Sequence, residues 1–468
     1  MMFDAVIVGA GPNGLVAAVT LASAGKRVVV LEANATIGGG ARTAELTLPG
    51  IRHDVCSGVH PLGIGSPVIS MLPLADHGLG WAHPPIPLAH PLDGGSAAVL
   101  TRDLEETATR LGDDGRAWRR TFGSVARHWD DSSRLALQAP LTALRTPIAG
   151  ARFGWLALRS ASLLARRFRT PSGRALVAGI AAHAAAPLDT IASAGVALTL
   201  GAAAHTVGWP VAVGGSGSIT DALAAHLRTL GGEIRTKTAV RSWSDLPEAR
   251  VVLFDTDPAA VAAILGERLP RRTTRRYRRF RHGPGVFKID VALDGPIPWS
   301  NPDCRRAGTV HVGGTYEEVA AAERGVANGD HPERPFIISS QPVVADPGRA
   351  PVGTHVLWAY CHVPAGSQVD MTERMFDQFE RFAPGFRESV VAVNVRRPAD
   401  LEADNSNHVG GDITGGALSL RGLAARPSLL RPYRSAPGVF ICSSSTPPGA
   451  GVHGMCGWHA ARAALREL

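Results

Sequence analysis

Gly9, Gly11 and Gly14 form a G-x-G-x-x-G run directly after a short apolar stretch, Ala5–Val8. A second apolar stretch, Val28–Leu31, ends on an acid, Glu32. These residue types at this spacing suit a dinucleotide. Gly9 permits a tight turn, Gly11 lets backbone approach a pyrophosphate, and Gly14 lets the next helix pack close to the strand. Pro12 and Asn13 lead into that helix, Leu15–Ala24, whose opening N–H groups would point at the phosphates. Glu32, with Ala33 beside it, can accept hydrogen bonds from a ribose. A bare glycine turn would not need Glu32, and a secretory signal would be basic where Asp4 stands.

Three further groups could do chemistry. Gly39, Gly40 and Arg42 lie in a second glycine loop, where mobile backbone and a guanidinium could follow the same pyrophosphate. Lys288 sits inside an apolar segment, Phe287–Leu293, and is one of 3 lysines in a chain whose Lys+Arg total is 48. An ammonium there is costly to bury unless it is paired or serves a reaction. The competing reading is a lysine snorkelling from an edge strand. His183, His205, His453 and His459 occupy apolar surroundings, where an imidazole is more often a hydrogen-bonded core residue than an acid or base. Of these, His453 is the best catalytic candidate.

The elements that must position these groups belong to a large globular chain. Its 468 residues, 45% hydrophobic and 19% charged, can bury two or three domain cores. The longest apolar stretches, Ala175–Ala186 and Ile191–Ala204, are too short to span a membrane. Five scattered cysteines without a CxxC fit a reducing, cytoplasmic setting and give no zinc or disulfide-reductase signature. No metal site is expected. The net charge of +8 comes without aromatic interleaving or a nucleic-acid motif, so no nucleic-acid partner is expected. Phe153–Phe168 reads as one basic amphipathic helix carrying Arg159, Arg166 and Arg167. It would either lie on a membrane as a peripheral contact or cover a substrate cavity.

Residues 101–135 and 151–205 read as mainly helical. A helix at Ile219–Leu230 follows the glycine loop Gly214–Gly217, and strands are expected at Glu233–Val240, Arg250–Asp255, Phe287–Leu293 and Gly438–Ser443. A loop, Ser444–Gly451, then leads to a last helix from Met455. The only other G-x-G-x-x-G, Gly449 to Gly454, leaves no room for a strand–helix–strand unit behind it. No second dinucleotide site is therefore expected, and a nicotinamide should not reduce the protein directly.

Four segments together resemble the phytoene-desaturase-like branch of the flavin amine oxidase superfamily. They are Gly9–Arg42, Gly208–Gly217, Gly283–Asp290 (GPGVFKID) and Asn405–Ala464, the last with HVGGDITGG and SSSTPPGAGVHGMCGWHAA. The match is to the group of pyridine nucleotide-disulphide oxidoreductase domain-containing 2 proteins, although nothing in the chain supports disulfide chemistry. The resemblance implies an α/β fold in which a Rossmann-type FAD-binding domain (1–75, 211–284 and 406–468) is interleaved with an α+β substrate domain (76–210 and 285–405). It implies one FAD, with Glu32 at the adenosine ribose and Gly11–Gly14 and Arg42 at the pyrophosphate. The Val240 backbone would meet the adenine. Ser444 and Ser445 would lie near ribityl or phosphate, and the helix N-terminus at Gly454, Met455 and Cys456 would face the flavin pyrimidine edge. Lys288 would hold a water near flavin N5.

The implied activity is that of an FAD-dependent oxidoreductase, a dehydrogenase, desaturase or oxidase. It would move a hydride from an apolar or amphiphilic small molecule to flavin N5 and then pass electrons to oxygen, a quinone or another acceptor. Alternatives are a flavin-dependent isomerase or hydratase without net redox change, or an amine oxidase. No aromatic pair for an amine oxidase cage can be placed from sequence. A non-catalytic FAD-bound partner-binding module stands last.

Overall fold

The structure, a computed structural model, describes residues 2–138, 153–418 and 430–468. The parts of the expected segments 76–210 and 406–468 that fall at 139–152 and 419–429 lie outside the described residues.

Valine-rich runs build the first sheet. Its six strands lie in the order Arg434–Ala436, Val439–Ile441, Ala249–Phe254, Phe3–Val8, Val28–Leu31 and Glu233–Arg235. The three central pairings among Val439–Ile441, Ala249–Phe254, Phe3–Val8 and Val28–Leu31 are all parallel. Val28–Leu31 is buried at every residue, as a strand covered on both faces requires. The helix Pro12–Ser23 covers one face together with Gly217–Thr229 and the last helix, Met455–Ala464. Pro258–Leu265 covers the other.

The second sheet has seven strands, ordered Val390–Arg396, Gly285–Leu293, His355–Val363, Ile337–Ser340, Ala307–Val312, Ile86–Pro91 and Ala97–Leu100. Side chains alternate between its faces. Phe287, Ile289, Val291, Leu357, Ala359 and Cys361 point one way and pack on Met375, Phe376, Phe379 and Phe382 of the helix Thr372–Phe382. The intervening residues, Lys288, Asp290, Trp358, Tyr360 and His362, occupy the opposite face. Register pairs Lys288 with Tyr360 and Asp290 with Trp358.

Several expected elements change. Lys288 is on an interior strand, not an edge, because Gly285–Leu293 pairs on both sides. The single helix expected over 153–168 is two pieces. Residues 153–157 are helical, and Ala161–Ala165 starts afresh behind Ser160, whose hydroxyl accepts from the Leu163 amide. The strand expected to reach Val240 stops at Arg235, and Lys237 takes φ +53°. The chain still runs beside the first sheet, with the Thr238 amide donating to the Glu32 carbonyl at 2.8 Å. Among the described residues no helix is long and apolar enough to cross a membrane.

Candidate functional site

One cavity of about 1020 Å³ joins the glycine turn of the first sheet to the polar face of the second. Of the residues singled out from sequence, Gly9, Gly11, Pro12, Asn13, Glu32, Ala33, Gly39, Gly40, Val240, Ser444 and His453 line it. Gly14, Arg42, Lys288, Ser445, Gly454, Met455 and Cys456 are not among its lining residues.

The glycine turn is shaped for backbone approach. Gly9 takes φ +101°, and a Cβ on Gly14 would fall 2.2 Å from the Gly9 carbonyl oxygen. The helix Pro12–Ser23 begins with Gly11 extended and no side-chain cap within the helix itself. Glu32 is buried and organised. One carboxylate oxygen accepts from the Ala10 amide at 2.8 Å and the other from the Asn34 amide at 2.9 Å. The cradle and the acid beside it fit the adenosine and pyrophosphate part of FAD.

Glu32 thus fixes the turn as well as offering an acceptor to a ribose. Glu32→Ala is expected to weaken FAD binding by about 1.5–3 kcal/mol, the scale of a charge-assisted hydrogen bond. That is on the order of ten- to a hundredfold in Kd. The check is the ratio of flavin to protein absorbance after gel filtration. A variant that keeps one FAD per chain through dilution would show that Glu32 does not carry this role.

Asp255 completes this end, and it was not picked out from sequence. It follows the strand Ala249–Phe254, and its carboxylate accepts from the Gly14 amide at 2.9 Å. Burial pushes its carboxyl up to about 8, helped by nearby Glu32 and opposed by the Gly14 and Gly11 amides. The available signal was the pattern itself: VVLF ends on Asp255 as VVVL ends on Glu32.

The other expected contacts divide between protein-bonded groups and cavity-lining ones. Arg42 Nε donates to the Gly39 carbonyl at 2.9 Å, and a terminal nitrogen reaches the Asp404 carbonyl at 3.2 Å. Ser445 pairs with Ser443 at 2.7 Å, whereas Ser444 lines the cavity. Gly454 packs on Val16, so the last helix begins against the first helix. His453 Nδ1 accepts from the Met455 amide at 3.1 Å, which leaves the ring proton on Nε2. Nε2 makes no hydrogen bond of ordinary geometry, though the Ala450 and Gly449 carbonyls lie close to the ring, and burial pushes the imidazole down to about 4 against their pull. His453 is therefore a neutral N–H donor in the cavity wall. Of the other histidines, His183 lines the cavity, while His205 bonds Trp118 and His459 bonds the Leu137 carbonyl.

Lys288 lies behind the lining. Its ammonium pairs with Asp290 and sits 5.8 Å from the centre of the Trp358 ring, and Trp358 lines the cavity. Burial lowers the Lys288 pKa, and Asp290 works against that shift. His53 stands 3.6 Å from the same Asp290 carboxylate.

The structure also supplies an aromatic pair that sequence reading did not place. Trp358 and Tyr360 line the cavity with ring centres 5.2 Å apart and planes at 85°. The signal was the alternation in HVLWAYCHV, which puts Trp358, Tyr360 and His362 on one face of a strand. Apolar groups close the rest of this end: Phe153, Ala157, Val196, Leu200 and Trp209.

Comparison with known proteins agrees with this arrangement. Residues 7–72 match the NAD(P)-binding Rossmann-like domain family. The chain is 27% identical to the pyridine nucleotide-disulfide oxidoreductase domain-containing protein 2 of Rattus norvegicus, over 100% of its own length and 94% of that protein. It is also 27% identical to the hydroxyneurosporene desaturase of Cereibacter sphaeroides, over 99% of its length and 97% of that enzyme. Among solved structures it matches an oxidoreductase from Methanosarcina mazei with a TM-score of 0.65 and 16% identity, covering 99% and 100% of the two chains. A putrescine oxidase matches with a TM-score of 0.64 and 18% identity, covering 99% of each. The resemblance read from sequence is borne out, and so is the fold it implied.

Proposed function

With the chain placed among the FAD-dependent oxidoreductases of the phytoene-desaturase-like and amine oxidase kind, we propose that it oxidises a largely apolar small molecule held in the aromatic end of the cavity. The observation that carries this reading is the continuity of the cavity. The same space that begins at Gly9, Glu32 and Val240 ends among Trp358, Tyr360, Trp209 and Leu200. When bound, FAD supplies a hydride acceptor at N5.

The chain's own residues do the rest. Gly9, Gly11 and Asn13 seat the pyrophosphate, Glu32 holds the ribose, and backbone at Val240 meets the adenine. His453 offers its Nε2–H as a neutral donor, and Ser444 its hydroxyl. Phe153, Ala157 and Val196 exclude water around the reacting carbon. The division into an FAD-binding domain (1–75, 211–284 and 406–468) and a substrate domain (76–210 and 285–405) is part of this proposal. An amine oxidase is the second reading, favoured by the near-perpendicular Trp358–Tyr360 pair.

Two measurements on the purified holoenzyme test this function. Mass spectrometry of the molecule that copurifies in the cavity is expected to find a compound dominated by hydrocarbon. Anaerobic mixing with NADH or NADPH is expected to leave the flavin oxidised, because the dinucleotide unit at Gly9–Glu32 is taken by FAD. Rapid, saturable bleaching at micromolar nicotinamide would overturn the reading.

A further inference from the structure

The apolar chamber ends on a polar floor. Tyr360 and His362 both line the cavity from the same strand face, with ring centres 5.7 Å apart. His362 Nδ1 lies 2.9 Å from each carboxylate oxygen of Glu323, which projects from the helix Tyr316–Asn328. Both side chains are only 3% exposed. A carboxylate only accepts, so Nδ1 carries the proton in this contact and Nε2 is the atom left to serve the cavity. Burial raises the Tyr360 pKa, so its hydroxyl keeps its proton and can donate.

His183 closes the floor from the helix side. Its Nε2 lies 2.9 Å from His311 Nε2, and burial together with nearby His362 pushes it down to about 3. Further along the same sheet face, Thr309 Oγ1 and Trp358 Nε1 are buried on lining residues without hydrogen-bond partners. Tying a helix to a sheet would account for a His–Glu pair alone. It does not account for a row of polar groups turned toward an apolar chamber, some of them unpaired.

We infer that this floor is a subsite for a hydroxyl group at the end of an otherwise apolar substrate. His362 Nε2 accepts the hydroxyl proton in a hydrogen bond, Tyr360 donates to the oxygen, and Glu323 fixes the imidazole tautomer. The inference rests on the reading of the chamber as a site for apolar molecules and names the head group that such a molecule carries.

The test uses two isomers of equal size, nonan-1-ol and 1-methoxyoctane. The ether keeps an acceptor oxygen but has no O–H to give His362. Isothermal titration calorimetry on the FAD-loaded protein is expected to show about tenfold tighter binding of the alcohol, the scale of one well-placed buried hydrogen bond. In His362→Leu that preference is expected to vanish while ether affinity stays within about twofold. His362→Gln, whose carbonyl can accept, restores part of it. Glu323→Gln lowers it by loosening the tautomer. Equal binding of the two isomers to the wild type would overturn the head-group assignment and leave the apolar chamber standing. Failure of both to bind would overturn the chamber reading and this inference with it. The wild-type ratio decides even if a variant does not fold.

Discussion

Lys288→Met is expected to cost about 3–5 kcal/mol of stability, because it removes one partner of a buried ion pair and strands the other. Asp290 is fully buried. Without the ammonium, Asp290 keeps the His53 ring at 3.6 Å, the Asn394 amide at 3.4 Å and only the longer-range attraction of Arg396 on the neighbouring strand. Burial holds His53 down to about 4, so at neutral pH it brings no charge to replace the lysine. A lysine that only held a water near flavin N5 would lose rate in a flavin half-reaction and not stability. The ion pair changes that expectation. The double variant Lys288→Met/Asp290→Leu removes both charges and is expected to recover most of the stability. It also isolates chemistry from folding. A group that positions a transferring proton typically contributes on the order of 10²–10⁴ in rate. That loss would persist in the double variant, read by stopped-flow flavin absorbance with substrate and then with oxygen. Stability is read by denaturant titration. A double variant that is stable and reacts at wild-type rates would make Lys288 purely structural, and a single variant as stable as wild type would sink the ion-pair account.

Lys288 also marks the boundary of what sequence can show. That the position is a strand residue in apolar company is local information, and the alternation in FKIDVAL carries it. Whether that strand is at an edge depends on Val390–Arg396 and His355–Val363, which pair with it from far along the chain. The same division holds at the glycine turn. Gly9, Gly11, Gly14 and Glu32 lie within one strand–helix–strand unit, so spacing alone brought them together. Asp255 reaches Gly14 across 241 positions. The pattern of a strand ending on an acid was visible, but its destination was not.

Elsewhere a local signal was outweighed. The apolar spacing over 153–168 concealed Ser160, an N-cap residue that starts a new helix. Lys237 at φ +53° carried no signal, since neither glycine nor asparagine stands there. Trp358 and Tyr360 were legible as neighbours on a face, but only the sheet order brings that face to the cavity.

Gly457→Ala is expected to be the most damaging single-methyl addition at the cofactor end. The last helix, Met455–Ala464, lies so close to Pro12–Ser23 that a Cβ on Gly457 would fall 1.9 Å from the Asn13 carbonyl oxygen and 3.1 Å from the Ala17 amide nitrogen. Those are backbone atoms and cannot swing aside as a side-chain tip can. The helices must separate, and Asn13 belongs to the cavity wall next to the glycine turn. Overpacking of this kind costs about 3 kcal/mol at the upper end of the usual range, and more when backbone must move. The expected outcome is a lower unfolding temperature together with flavin loss on gel filtration. Gly295→Ala is the control, because a Cβ there meets nothing within 4 Å and should leave both readings unchanged. If Gly457→Ala unfolded at the wild-type temperature with a full complement of FAD, the close contact between the first and last helices could not be what holds the glycine turn in place.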